Sequence, residues 1–174
     1  MNKKLLLLIF TLLFSSCSKN SIKNSKLNKL TKRDDIYYTA LLNTQKGQII
    51  ASFETKALLI ATYLNPIFND RECSICLDTS DGEYFLLGVF INGDRDNNLN
   101  GDGYVVSLNG VKPLELKELD RDDPFLKNMP MVNNWSKYYI AKFPKLNRDK
   151  LILNFKSDTF GEDNLKFVKS FNKP

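Results

Sequence analysis

Residues 34–174 predict an all-β domain, an antiparallel β-sandwich or barrel. Three observations lead there. Six to nine short apolar segments recur, several with a strict two-residue alternation. Gly, Asn, Asp and Pro turn signals separate them, and aromatic residues fall in almost every segment.

Taken in order, "DIYYTALLNT" and "GQIIASF" flank "QKG", a turn-like spacing that predicts a hairpin. "KALLIATYLNP" is apolar and stops at a proline, whose preceding residue disfavours helix. Ile50, Phe53, Ala57, Ile60, Ala61 and Leu64 also fit helical spacing, so one helix in the 48–64 region stands as the alternative. "EYFLLGVFIN" predicts a central strand buried on both faces. "GYVVSLNG" alternates Tyr104, Val106 and Leu108 and ends on an Asn-Gly turn signal. "KPLELKEL" sets Leu114 and Leu116 against charged neighbours. "WSKYYIAKF" and "LILNFK" keep the same period, the latter with Leu151, Leu153 and Phe155 on one face, and "LKFVKSF" closes the series. Trp135, Tyr138, Tyr139 and Phe143 read as core and cross-strand packing, with a carbohydrate- or peptide-stacking face as the alternative.

The chain is basic overall, at +5, but unevenly so. Residues 1–33 hold eight of its 25 basic residues and no acid, which leaves 17 basic against 20 acidic residues in 34–174, a net of −3. The basic footprint of a nucleic-acid binder is therefore missing from the predicted domain. Histidine is absent, which removes the usual Ser-His-Asp and Cys-His catalysis, imidazole metal ligands and the neutral-pH proton shuttle.

The N-terminus has a distinct layout. Lys3 and Lys4 precede an apolar run from Leu5 to Phe14, and Ser15-Ser16 supply small residues before Cys17. The run is about half of the roughly 20 residues needed to cross a hydrocarbon core. The stretch Leu13-Phe14-Ser15-Ser16-Cys17 resembles the lipobox of bacterial lipoproteins, with Phe14 where that pattern prefers an aliphatic residue. The resemblance implies residues 1–16 as a signal peptide, cleavage before Cys17 and fatty acylation of Cys17. Ser18, in place of the family's Asp retention signal, implies the outer membrane, facing the periplasm, in a cell that has one. Each buried CH₂ of an acyl chain contributes about 0.8 kcal/mol, so several chains anchor durably without a spanning helix. Residues 17–33 read as the lipidated cysteine and a Lys/Asn/Ser-rich tether, or as a weakly amphipathic helix on Ile22, Leu27 and Leu30. Its lysines are suited to anionic headgroups.

Two constellations remain. Cys73 and Cys76 in "RECSICLD" form a pair that, outside the cytoplasm, suggests a short-loop disulfide; reduced buried cysteines and a thiol-redox site are the alternatives. Glu72 and Asp78 disfavour a thiolate there, and no βαβ pattern surrounds the motif. A lone C-x-x-C without histidine makes a poor zinc site. In "NGDRDNNLNGDGY", Asp94, Asp96, Asn98, Asn100 and Asp102 present oxygen atoms at alternate positions. Read from Asp96, the stretch resembles part of an EF-hand loop, but its twelfth position is Ser107 and not the bidentate Glu. Ca²⁺ binding and an ordinary Asx-rich turn are both open at this point. Acidic clusters at Asp120, Asp122 and Asp123, and at Asp158, Glu162 and Asp163, strengthen the Ca²⁺ reading if they gather at the same end of the domain. No phosphate loop, G-x-S-x-G or H-E-x-x-H motif is present. The sequence thus points to an envelope lipoprotein, anchored through Cys17, with one non-catalytic binding or structural domain and no resident cofactor. A Ca²⁺-dependent binding domain and a thiol-redox protein are its alternatives.

Overall fold

The computed structural model describes residues 36–68, 77–93, 97–99 and 103–169. All of these belong to one compact unit, Lys32–Pro174. The chain forms a short helix α1 (36–42), then β1 (Thr44–Ala51), β2 (Glu54–Tyr63), α2 (Asn65–Phe68) and β3 (Gly82–Ile91). There follow β4 (Tyr104–Leu108), β5 (Glu115–Leu119), a 3-10 turn (Leu126–Asn128), β6 (Lys137–Pro144), β7 (Lys150–Ser157) and β8 (Gly161–Val168). The strands build two antiparallel sheets, one in the order β1-β2-β3-β6-β5 and one in the order β4-β7-β8. The fold is sandwich-like and all-β, as the alternation predicts, and the sheets do not close into a barrel.

The core lies between the sheets. Ala57, Leu59, Ala61 and Tyr63 of β2 alternate inward, as do Leu151, Leu153 and Phe155 of β7. Tyr63, Phe85, Phe143 and Phe167 form its aromatic centre, with ring centroids 5.0–6.4 Å apart. Asn109 and Gly110 take φ of +50° and +83°, the left-handed pair that a two-residue connection requires. β3 is buried on both faces, as its unbroken apolar run predicts. Its second face is covered by α1, α2, the 3-10 turn and neighbouring loops, which pack Ala40, Leu64, Ile67, Leu126 and Met129 against Leu86 and Tyr138.

Four expectations are corrected. Residues 36–42 are helix, not strand, because Ile36, Ala40 and Asn43 face inward at spacings of four and three. "QKG" lies within β1 rather than in a turn. A Cβ on Gly47 would sit 2.6 Å from Leu165 Cδ1, so this glycine permits the close approach of β8, where Gln48 N–H donates to Asp163 Oδ2 at 2.9 Å. The 48–64 region holds no helix: it is the β1–β2 hairpin, turning at Ser52 and Phe53. Trp135 is not core but 65% exposed, and Leu114 is equally open, just before β5 begins. Tyr138, Tyr139 and Phe143 are buried as expected.

Candidate functional site

The outer face of the five-stranded sheet is not fully covered. Over β3, β6 and β5 lies a groove of about 380 Å³, within the usual range for small-ligand sites. Register sets its floor. Tyr84 lies opposite Lys142, and Lys142 opposite Glu115. Ile140 lies opposite Lys117, and Tyr138 opposite Leu119. Tyr84, Ile140, Lys142, Glu115, Lys117 and Leu119 line the cavity, and Leu77, Phe125 and Asp123 close it from the covering segments. The 3-10 turn brings Phe125 over the sheet: Phe125 N–H donates to Asp123 Oδ1 at 2.8 Å, and its ring meets Phe68 at 5.5 Å.

Gly88 opens the sheet surface beside the groove. A Cβ there would meet Tyr138 Cε1 at 2.7 Å, so the glycine lets the Tyr138 ring lie flat across β3. The ring is fixed at its other end, where the Tyr138 hydroxyl accepts from Asn133 N–H at 2.7 Å.

A polar triad stands at the groove's edge. The Tyr84 hydroxyl donates to Asp81 Oδ1 and Lys142 Nζ to Asp81 Oδ2, both at 2.6 Å, and the ammonium lies 5.6 Å from the Tyr84 ring centroid. The bond to Asp81 pushes the Lys142 ammonium up to about 12. Lys142 first and Tyr84 second hold the Asp81 carboxyl below its ordinary value. Burial, ahead of the bond to Asp81, raises the Tyr84 phenol. These shifts keep the lysine charged and the phenol protonated at neutral pH. The triad therefore offers a fixed cation and a hydrogen-bonding ring.

A second, smaller cavity of about 140 Å³ lies near the start of β3. Glu83 is buried there, accepting from the Tyr63 hydroxyl at 2.6 Å, from Leu146 N–H at 3.0 Å and from Lys169 Nζ. Lys169 also donates to the Leu146 carbonyl. Burial first, and then Glu83, raises the Tyr63 phenol far above its ordinary range. Every polar group here is occupied by a protein partner, and the cluster ties the end of β8 to β2 and β3. Its role is structural.

The chain matches no protein-family model, and no curated protein or solved structure is detectably similar to it.

Most of the sequence-predicted site lies outside the described residues: Cys17, the C-x-x-C pair Cys73 and Cys76, and Asp94, Asp96, Asn100 and Asp102. Asn98 is described and exposed, between a spent neighbour and a core residue. Asn97 accepts from Ile91 N–H at 2.6 Å and donates to the Trp135 carbonyl at 2.9 Å, while Leu99 is buried in the core. Strand directions place the C-terminal ends of β3, β5 and β7 at one end of the sandwich, where Asp120 and Asp158 follow their strands, but Asp123 turns back over the outer face into the groove. Asp158 adjoins Gly103, whose carbonyl accepts its N–H at 2.8 Å. Among the described residues, no three acidic, Cys or His side chains converge as metal ligands. Asp163 and Asp123 are engaged with backbone amides instead.

The groove itself was missed by motif reasoning. The signal for it was present: Tyr138 and Ile140 put apolar side chains on the face of β6 opposite to Tyr139, Ala141 and Phe143. A strand that is apolar on both faces implies a covered outer face, and hence a boundary where the cover stops.

Proposed function

We propose that the chain is a membrane-anchored envelope lipoprotein whose β-domain is a non-catalytic binding module, with the groove over β3, β6 and β5 as its binding face. One observation supports the binding role: an apolar floor of Leu119 and Ile140 beneath Phe125, bordered by the charge-fixed Lys142–Asp81–Tyr84 triad. That combination suits a small amphiphile, with its apolar body on the floor and an anionic or hydrogen-bonding head at Lys142. The anchor rests on the Leu13–Cys17 stretch and the basic residues that follow it.

1-Anilinonaphthalene-8-sulfonate, an apolar body with one anionic group, is the probe. Its fluorescence should rise on binding and fall about tenfold in affinity in Lys142→Met and in Ile140→Glu, with circular dichroism confirming that each variant is folded. Equal binding by the parent chain and both variants removes the groove as the site. Mass spectrometry of the protein from bacterial membranes tests the anchor: a chain beginning at an acylated Cys17 is expected, and an intact residue 1 or a bare Cys17 refutes it.

The Ca²⁺-dependent reading has one observation in its favour, the contact of Asp158 with Gly103 at the end of the Asx-rich stretch. Calorimetric titration with Ca²⁺ decides it, and the absence of both heat and a shift in Tm ends it. The thiol-redox alternative has only the spacing of Cys73 and Cys76 behind it.

A further inference from the structure

Helix α1 (36–42) turns Ile36 and Ala40 into the protein and leaves a second apolar stripe in water. Tyr37 and Leu41, and beside them Tyr38 and Leu42, are i, i+4 neighbours, so the four side chains form one strip along the helix. Tyr38 is 61% exposed and Leu42 50%. The C-terminal end of the helix is tied to β2. Asn43 N–H donates to the Thr39 carbonyl at 3.2 Å, Thr44 Oγ1 donates to the Ala40 carbonyl at 2.7 Å, and the same hydroxyl lies 2.8 Å from that of Thr62 on β2. The strip is thus carried on a helix joined to the sheet through Thr44.

We propose that this strip is the face by which the domain rests on the lipid bilayer, its tyrosines and leucines entering the headgroup–acyl boundary. The inference rests on the lipid-anchor reading of Cys17. Two features select a bilayer as the occupant. The first is where the helix sits in the chain. It directly follows residues 18–35, which even fully extended span at most about 60 Å, so an acylated Cys17 keeps the helix close to the membrane. The second is charge. Lys26, Lys29, Lys32 and Arg33 lie within ten residues of Ile36, the pairing of basic and apolar side chains that interfacial helices use on anionic lipid. Tyrosine suits the position because its ring is apolar and its hydroxyl stays wet. A protein partner would need about 800 Å² per side for a stable complex, more than these four side chains present. A bilayer sets no such minimum for a chain already tethered to it.

The test uses the full chain and vesicles of phosphatidylethanolamine and phosphatidylglycerol, with and without acyl-chain-brominated lipid. Trp135 is the sole tryptophan, so Trp135→Phe combined with Tyr37→Trp leaves one indole on the strip. That indole is expected to shift to the blue and to be quenched by shallow bromines. Tyr38→Ser with Leu42→Ser, both solvent-exposed and so harmless to folding, should lower vesicle partition of the unacylated Cys17→Ser chain about tenfold. An indole at position 37 that stays unshifted and unquenched on vesicle-bound protein overturns the inference. A concentration-dependent blue shift without lipid also overturns it, since a second copy then covers the strip. Mass spectrometry reads acylation of Cys17 separately. If Cys17 is unmodified the anchor reading falls, while quenching of the unacylated chain at lipid excess still decides the strip.

Discussion

The β1–β2 turn makes a sharp thermodynamic prediction, because Phe53 occupies it against its own preference. Ser52 and Phe53 have φ of +53° and +63°, the left-handed region that asparagine and glycine favour in such turns. The Phe53 side chain is 106% exposed, so its removal forfeits no packing. A non-glycine residue there costs roughly 1–2 kcal/mol. Glycine returns about 0.5–1 kcal/mol of that through the greater freedom of the unfolded chain. Phe53→Gly should therefore stabilise the protein by about 0.5–1 kcal/mol. For a domain of this size the entropy of unfolding is about 0.3 kcal/mol/K, which makes the expected rise in Tm about 2–3 °C. Urea titration followed by circular dichroism measures the change, with the dependence on denaturant unaltered. A loss of stability in Phe53→Gly would refute the reasoning, since it would mean that the ring is packed in solution and not free.

Three other outcomes follow from the geometry. Glu83→Ala strands Lys169, the Leu146 amide and the Tyr63 hydroxyl around a buried space, and should cost about 3–5 kcal/mol in urea unfolding; a loss below about 1 kcal/mol would contradict the buried cluster. Gly88→Ala drives a Cβ to within 2.7 Å of Tyr138 and should cost about 1–3 kcal/mol, which Gly88→Ala combined with Tyr138→Leu recovers in part; an unchanged Tm in the single variant would rule out the ring's placement. The Asp81–Lys142 pair predicts two pH limbs in thermal melts. The depressed Asp81 carboxyl contributes stability above its unfolded value near pH 4, lost as pH falls through the lower folded value; the raised Lys142 ammonium contributes below about 10.5, lost as pH rises through about 12. Asp81→Asn should flatten both limbs, and identical pH profiles for the two proteins would remove the pair.

Strands with one buried face were legible because burial writes itself into the sequence every second residue. Val106 and Leu108 in β4 and Leu151, Leu153 and Phe155 in β7 needed no tertiary knowledge. Helix α1 was not legible because its two stripes are both apolar: Ile36 and Ala40 face the core while Tyr37, Tyr38, Leu41 and Leu42 face water, so no polar face marks the helical period. "QKG" failed for a different reason. A glycine that clears space for another strand has the same letter as one that turns the chain, and only the position of Leu165 distinguishes them. The groove depends on Tyr84, Lys142 and Asp81, which strand register brings together from positions about 60 residues apart. No local motif carries that distance.

The groove's place follows from a mismatch in size between the sheet and its cover. Five strands at about 4.8 Å spacing make a surface roughly 20–25 Å wide, and the outer face of β3 and β6 is apolar enough to need covering. Among the described residues the covering helical segments run over 36–42 and Asn65–Phe68, about 10 Å and 6 Å. Packed over the β2–β3 side through Ala40, Leu64 and Ile67, they cannot reach β5. The 3-10 turn and Phe125 approach from the other side and leave a gap above Ile140 and Leu119. A sheet that needed this gap only filled would place a large apolar residue at position 117 or 142. It has lysine at both, and Lys142 is fixed in charge by Asp81. Cations at the border of an apolar floor stabilise no core; they suit a ligand that arrives with an apolar body and a polar end, which is the ground for proposing the groove, and not the better-packed Glu83 cavity, as the binding face.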